Sequence, residues 1–243
     1  MASKTSSPWP WIMLVARISL FAGIQVLIAL CFYLAGFTNA WESAASWWPF
    51  TVTITNLICI SLLVWLFNQD GKRYWDIFHI QRGNLKSDLL ALLLLLVFLG
   101  PVSFLPNLLL GNLLFVDPQQ TLALLIRPLP LWAVYISLIL FPVTQGLAEL
   151  PTYFSYSMPK LESQGVHRWA AVTLASLFLS LQHLAVPLLF NYQFILWRAL
   201  MFLPFAFFVG IVLHWRPQLL PYLAFIHVLM DLSFAAMLIG VAY

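Results

Sequence analysis

The sequence predicts an all-α fold, a polytopic transmembrane helical bundle. Of the 243 residues, 63% are hydrophobic and only 8% are charged, and the mean hydropathy is +0.93. A soluble domain of ordinary composition would carry about 25% charged residues. Several apolar stretches are long enough to cross about 30 Å of hydrocarbon as helices. We therefore predict a single membrane domain over residues 1–243, with about seven spans, or eight if one more lies hidden.

Seven stretches have the length and composition of a membrane-spanning helix. Between the third and the fourth, residues 107–127 contain apolar patches that Gly111, Asp117 and Pro118 interrupt. Each patch is too short to span, so we predict a re-entrant or interfacial segment there. An eighth span hidden in it would reverse the orientation of every later loop. The predicted spans are residues 11–37, 48–67, 88–105, 129–155, 169–190, 194–215 and 219–241.

The loops between these spans differ in basic content, which indicates their orientation. With the N-terminus in the cytoplasm, nearly every lysine and arginine falls on the inner side, as the positive-inside rule requires. Arg17 then lies near the inner end of the first span, whereas Arg127 and Arg198 lie on the outer side. Anionic membrane lipids are partners that account for the net charge of +3, and no nucleic acid is expected. The inner residues are Lys4, Lys72, Arg73, Arg82, Lys86, Lys160, Arg168 and Arg216.

Two carboxylates, Glu149 and Asp231, lie inside the apolar spans. An ionisable side chain in hydrocarbon costs roughly 2.5–3.5 kcal/mol on insertion scales, so such a residue is a candidate for function. Glu149 shares a helix face with Gln145 four residues before it and Tyr153 four after it. Asp231 follows His227 by four residues, which places the two side chains side by side.

A third polar cluster lies on the fifth predicted span. Thr173, Ser176, Ser180 and His183 recur at helical spacing and form one face. Small and hydroxyl residues on one face favour close helix packing over lipid contact. We therefore expect His183 to point into the bundle.

Each cluster has a structural interpretation beside its functional one. Either histidine could simply bond a neighbouring helix, and Glu149 could cap a helix that Pro151 breaks. Taken together, the clusters fit two kinds of chemistry. One is water activation by the glutamate, with the histidines holding the water or an oxyanion. The other is a metal ion bound by two histidines and a carboxylate.

The order of these clusters resembles the CPBP family of intramembrane proteases, which includes the CAAX prenyl proteases and the Abi or bacteriocin-immunity proteins. That family carries EExxxR on one helix, FxxxH on a later helix and HxxxN or HxxxD on the last. Residues 146–154 (GLAELPTYF) resemble the first motif, residues 179–183 (LSLQH) the second and residues 227–231 (HVLMD) the third. The resemblance covers a core of residues 129–241.

The resemblance implies a peptidase in which Glu149 is the general base. His183 would bind the water or the oxyanion, and His227 with Asp231 would assist from the last helix. The family is better described as glutamate-type than as metal-dependent, so the resemblance implies no metal and no cofactor. The substrate would be a membrane-associated peptide or a lipidated protein. Residues predicted to support the site are Tyr153, Gln145 and Ser180.

The chain departs from the family motifs at three places. Leu150 stands where the second glutamate would be, and Tyr153 or Phe154 stands near the place of the arginine. Leu179 replaces the phenylalanine of the second motif. A tyrosine can supply a hydrogen bond but not the charge of an arginine.

These departures keep a second hypothesis beside the peptidase. It is a catalytically inactive family member that serves as an accessory or assembly subunit of a membrane complex. A third is a proton-coupled carrier, since membrane carboxylates and histidines also form proton relays. The sequence contains no repeated half with matching broken helices, which disfavours the carrier.

The clusters can meet only if their depths in the membrane agree. Glu149 lies near the inner end of its predicted span, while His183 lies well inside the next one. We therefore expect the fourth helix to continue past Pro151, or the fifth to begin below the membrane.

Overall fold

Helices make up the regular structure of the computed structural model, which describes residues 7–243 and has no strand among them. Lys4 lies outside these residues. The predicted all-α polytopic fold is confirmed, since six helical segments of this range are long and apolar enough to cross a membrane. These segments are Trp9–Leu34, Trp48–Gln69, Tyr74–Leu114, Leu131–Ser163, Tyr192–Trp215 and Pro217–Val241.

The α-helices are numbered in chain order. They are α1 (Trp9–Leu34), α2 (Ala40–Ser46), α3 (Trp48–Gln69), α4 (Leu85–Leu114), α5 (Gln119–Leu125), α6 (Leu131–Leu150), α7 (Met158–Ser163), α8 (Arg168–Leu181), α9 (Tyr192–Met201), α10 (Leu203–Trp215) and α11 (Leu220–Ala236).

The fifth predicted span is shorter than expected. Its helix, α8, has 14 residues and rises about 21 Å, which is less than the hydrocarbon thickness. A 3₁₀ turn, Gln182–Ala185, continues it and carries His183. The polar side chains there follow helical spacing, and this spacing does not reveal where the helix tightens into a turn.

The segment at residues 107–127 contains no further spanning helix. α4 extends through Pro101 and Pro106 to Leu114, well beyond the predicted end of the third span. The seven-residue helix α5 follows after a short connection. A helix of that length rises only about 10 Å, so it cannot cross the membrane.

The helical path continues past Pro151, as the sequence analysis expected. α6 passes directly into a π-helix, Pro151–Ser157, and then into α7. Pro151 has no N–H to give to the carbonyl of Leu147, four residues earlier. The hydroxyl of Tyr74 donates to that carbonyl. Glu149 is therefore not the group that satisfies the carbonyl freed by the proline.

α6 is the central helix of the candidate site and packs between α3 and α11. Gly146 allows α11 to come close: a Cβ on Gly146 would lie 2.9 Å from the carbonyl oxygen of Ala224 and would overlap a methyl group of Val228. The glycine lies one turn before Glu149, and Val228 lies next to His227. This close packing brings the two motifs together.

The basic loops lie at one end of the bundle. Lys160 pairs with Asp70 at 2.5 Å, and Arg216 donates to the hydroxyl of Ser87 at 3.0 Å. The side chain of Gln164 also donates to the carbonyl of Ser7, which brings the start of α1 to the same end. The predicted inner loops are therefore neighbours in space.

We expect Gly146→Ala to destabilise the protein by about 1–3 kcal/mol, because the added methyl group meets the backbone of α11 and cannot be accommodated by a side-chain rotation. The matched control is Gly23→Ala on α1, where a Cβ meets nothing within 4 Å. That substitution should be neutral or stabilising, since alanine is the better helix former. Unfolding midpoints in detergent micelles would compare the two, and equal midpoints would contradict the close packing.

Candidate active site

An arginine from the first helix lies at the centre of the site. Arg17 is fully buried, and one terminal nitrogen of its guanidinium, Nη2, lies 3.7 Å from Oε2 of Glu149, which is 1% exposed. A buried ion pair needs further hydrogen bonds to offset the desolvation of both ions. Arg17 has them: its Nε, Nη1 and Nη2 donate to Gln182 at 2.5 Å, Asn56 at 2.7 Å and Gln145 at 2.9 Å.

The amide side chains of this network connect several helices. Gln145 accepts from Arg17 through its oxygen and donates to Oε2 of Glu149 through its nitrogen. The hydroxyl of Tyr153 donates to the oxygen of Gln182 at 3.3 Å. Asn56 donates to the hydroxyl of Thr144 at 3.1 Å. Helices α1, α3 and α6 and the turn after α8 are thus joined around one carboxylate.

The tautomer of His183 follows from its contacts. Nδ1 lies 2.9 Å from the carbonyl of Leu179 and 3.2 Å from that of Ser180. Since carbonyl oxygens only accept, Nδ1 carries the proton and Nε2 presents a lone pair. That Nε2 lies 4.0 Å from Oε2 of Glu149. Two acceptors face each other across this gap, so a group between them has to donate.

His227 and Asp231 approach Glu149 from α11. The Nε2 of His227 lies 3.7 Å from Oε1 of Glu149 and 3.2 Å from Oδ2 of Asp231. The second approach is short but poorly aligned. Within residues 7–243, neither Oδ2 of Asp231 nor Nδ1 of His227 has a hydrogen-bond partner. Buried polar atoms nearly always have a hydrogen-bond partner, so we expect these two atoms to bond to a ligand or a water.

A second buried arginine completes the site. Arg198 on α9 donates through Nε to the carbonyl of His183 at 3.2 Å and through Nη2 to that of Val186 at 2.9 Å. These bonds hold the 3₁₀ turn that carries His183. Arg17 and Arg198 were predicted near the inner and outer ends of their spans, and both are buried inside the bundle.

Glu149, both histidines, Asp231 and Arg198 line one cavity of about 470 Å³. Its volume is typical of ligand sites, and most of its walls are apolar. Aromatic side chains from α1, α3, α6, α9 and α10 contribute to them. The polar groups in the wall are Gln145, Glu149, His183, Arg198, His227, Asp231, Ser103, Asn107, Thr121 and Ser233.

The sequence-predicted residues occupy different positions relative to this cavity. Glu149, His183, His227 and Asp231 all line it, and so does Gln145. Tyr153 reaches the site only through Gln182. Ser180 donates instead to the carbonyl of Ala199 at 2.5 Å and ties α8 to α9.

Sequence reasoning missed Arg17, Asn56, Gln182 and Arg198. A signal for Arg17 exists in the pattern of α1, because Gln25 lies on the same face eight residues later and is also buried. A charged and an amide residue on one face of an apolar helix indicate an inward polar stripe.

No group of three or more histidine, cysteine, aspartate or glutamate side chains in residues 7–243 is arranged to hold a metal ion. The chain matches no protein-family model, no curated protein and no solved structure.

We expect Arg17→Met to destabilise the fold by about 3–5 kcal/mol, because it leaves Glu149 as an uncompensated buried charge. Arg127→Met is the control: its partner Glu42 is largely exposed, and such a pair contributes about 1 kcal/mol or less. Unfolding in mixed micelles measures both losses.

A double-mutant cycle with Glu149→Gln isolates the pair itself. Glu149→Gln should relieve part of the loss that Arg17→Met causes, because the uncompensated charge is then gone. Strictly additive losses would show that Arg17 and Glu149 do not interact.

Proposed function

We propose that this protein is an intramembrane endopeptidase of the CPBP type, in which Glu149 activates a water molecule against a peptide bond. One observation carries the proposal: the carboxylate of Glu149 lies within 4.0 Å of the Nε2 atoms of both His183 and His227, in the wall of a cavity. A general base needs a polar neighbour that orients the water and room for a substrate. This geometry offers both.

The attacking water fits between Glu149 and His183. Both present lone pairs across a 4.0 Å gap, and a water molecule has two O–H groups to donate. Such a water is oriented by His183 and loses its proton to Glu149 as its oxygen attacks the carbonyl carbon. The proton then passes from Glu149 to the departing amine as the C–N bond breaks.

His227 supports the charge that develops on the substrate oxygen. Its Nε2 lies 3.7 Å from Glu149 and 3.2 Å from Asp231 but is hydrogen-bonded to neither. An N–H on this nitrogen is therefore free to donate to the oxyanion of the tetrahedral intermediate. Asp231 places a carboxylate beside the imidazole from one helical turn away.

Electrostatics favour water over a metal ion at this site. The guanidinium of Arg17 lies 3.7 Å from the carboxylate of Glu149, which would have to be a metal ligand. Arg198 donates to the backbone carbonyl of His183, which would be another. A divalent cation placed there would be repelled by both positive charges.

Arg17 also bears on the family resemblance. The motif at residues 146–154 lacks the arginine that the CPBP pattern carries. Arg17 brings a guanidinium to the same glutamate from α1. We infer that it takes the place of the missing residue, which supports an active enzyme over an inactive accessory subunit.

The substrate class follows from the cavity walls. They are largely apolar, and two of the residues that line them, Leu122 and Met237, are half exposed. A membrane-associated peptide or a lipidated protein could reach Glu149 from the bilayer.

We expect Glu149→Gln to abolish cleavage, with a loss of at least about 10²-fold, because glutamine cannot accept the proton of the water. Membranes from cells that express either form would be compared by mass spectrometry for new peptide termini. Glu42→Gln, on the surface, is the matched control and should leave those termini unchanged. Identical termini with and without Glu149 would refute the peptidase.

The orientation in the membrane is a second proposal. We infer that the N-terminus and the basic loops face the cytoplasm, because the basic residues of residues 70–87, Lys160 and Arg216 meet at one end of the bundle. Asp117 lies beyond the far end of α4.

Single cysteines at these two ends test the orientation, in a protein whose Cys31 and Cys59 are replaced by serine. An impermeant maleimide should label Asp117→Cys in intact cells and Lys72→Cys only after permeabilisation. The reverse pattern would place the N-terminus outside.

A further inference from the structure

Arg198 is a buried cation that forms no ion pair. Its side chain is 7% exposed, and no carboxylate of residues 7–243 lies within 4.0 Å of its nitrogens. Its oxygen partners are two neutral carbonyls, those of His183 and Val186. Removing a charge from water is costly unless an opposite charge compensates it, so a buried guanidinium without an ion pair is expected to bind an anion.

The neighbouring acids make no direct contact with Arg198. Glu149 lies against Arg17, and Asp231 lies beside His227. Arg198 is therefore a charged group in the wall of the cavity that holds Glu149, without a carboxylate bonded to it.

Aromatic rings also pack against the guanidinium of Arg198. The rings of Trp197 and Phe202 lie 5.7 and 5.2 Å from its central carbon, in cation–π range. Its Nη1 makes a single contact, a weak one with the sulfur of Met201 at 3.9 Å. Sulfur is a poor acceptor, so the N–H groups of Nη1 are available to a better one.

We propose that Arg198 binds a carboxylate of the substrate and so selects peptides that place an acidic group next to the bond that is cut. The proposal rests on the peptidase function and names its substrate class. A carboxylate is the natural partner, since its two oxygens match the planar fork of a guanidinium. Arg198 also donates to the backbone carbonyl of His183, so a carboxylate bound to it lies near the residue that orients the water.

Two sources can supply this group. One is the C-terminal carboxylate of a peptide that enters the cavity by its end. The other is the side chain of an aspartate or glutamate beside the scissile bond. The chemistry at Arg198 is the same, and the two are separated by the choice of probe.

The test measures binding to the Glu149→Gln protein in nanodiscs, which needs no cleavage. Three dansylated tetrapeptides of alanine and leucine serve as probes. The first has a free C-terminal carboxylate, the second is its C-terminal amide, and the third is an amide with one glutamate inside. At least one of the two acidic probes should bind at least about tenfold more tightly than the neutral amide, since a charge-assisted hydrogen bond contributes that much. The acidic probe that binds more tightly identifies the source of the carboxylate.

Substitution of the arginine should remove the preference. Arg198→Gln, made in the same protein, keeps N–H donors for the turn but has no charge, and should bind all three probes alike. Arg127→Gln, on the surface, should keep the full preference. Should Arg198→Gln unfold at a lower temperature than the parent, Arg198→Lys decides instead, since it keeps the charge and should retain a preference. Loss of the preference in Arg198→Lys would then count against the proposal.

Equal affinity for the three probes, binding of none, or a preference that survives in Arg198→Gln would overturn the proposal. The outcome is separate from that of the peptidase function. Cleavage that depends on Glu149 without any carboxylate preference defeats only the role of Arg198. A carboxylate preference in a protein that cleaves nothing defeats only the peptidase.

Discussion

The contact between Arg17 and Glu149 is the interaction on which the rest of the site depends. Each ion would be costly to bury alone, and each is buried here completely. Their 3.7 Å separation is supported by the amides of Gln145, Gln182 and Asn56, which come from three different parts of the chain. These bonds fix α1, α3, α6 and the turn after α8 relative to one carboxylate. A buried polar network that joins several helices in this way favours one arrangement of them.

Two irregularities of the backbone lie beside the polar groups of the candidate site. The π-helix after Pro151 keeps the helical path continuous, and the hydroxyl of Tyr74 satisfies the carbonyl that the proline leaves free. The 3₁₀ turn after α8 tightens the chain where His183 leaves the helix. π-helices and 3₁₀ stretches often mark functional sites, because they rotate side chains away from the regular helical face. In addition, Gly146 allows the close approach of α11, which carries His227.

Much of the fold could be predicted from the sequence, because apolar length and basic loops are strong one-dimensional signals. The inward direction of Glu149, His183 and His227 could also be predicted, since each carries polar neighbours at helical spacing. Arg17 shares its helix face with a single further polar residue, Gln25, and Arg198 has no comparable signal, so neither could be placed with the same certainty. A charge near the end of an apolar run fits a membrane boundary equally well, and the face it occupies is decided by partners such as Asn56 and Gln182 on other helices. The end of α8 at Leu181 could not be predicted either, because the helical spacing of its polar side chains continues into the 3₁₀ turn.

The position of the arginine changes how the site is assembled. In the CPBP pattern, the glutamate and the arginine share one helix, so the charges are neighbours as soon as that helix forms. Here the guanidinium comes from α1 and the carboxylate from α6, which are separated by more than a hundred residues. The charge balance at Glu149 is therefore established only when the first helix packs against the fourth membrane-spanning segment. Until then Glu149 lacks its counter-charge, so the site cannot form before α1 has packed against that segment.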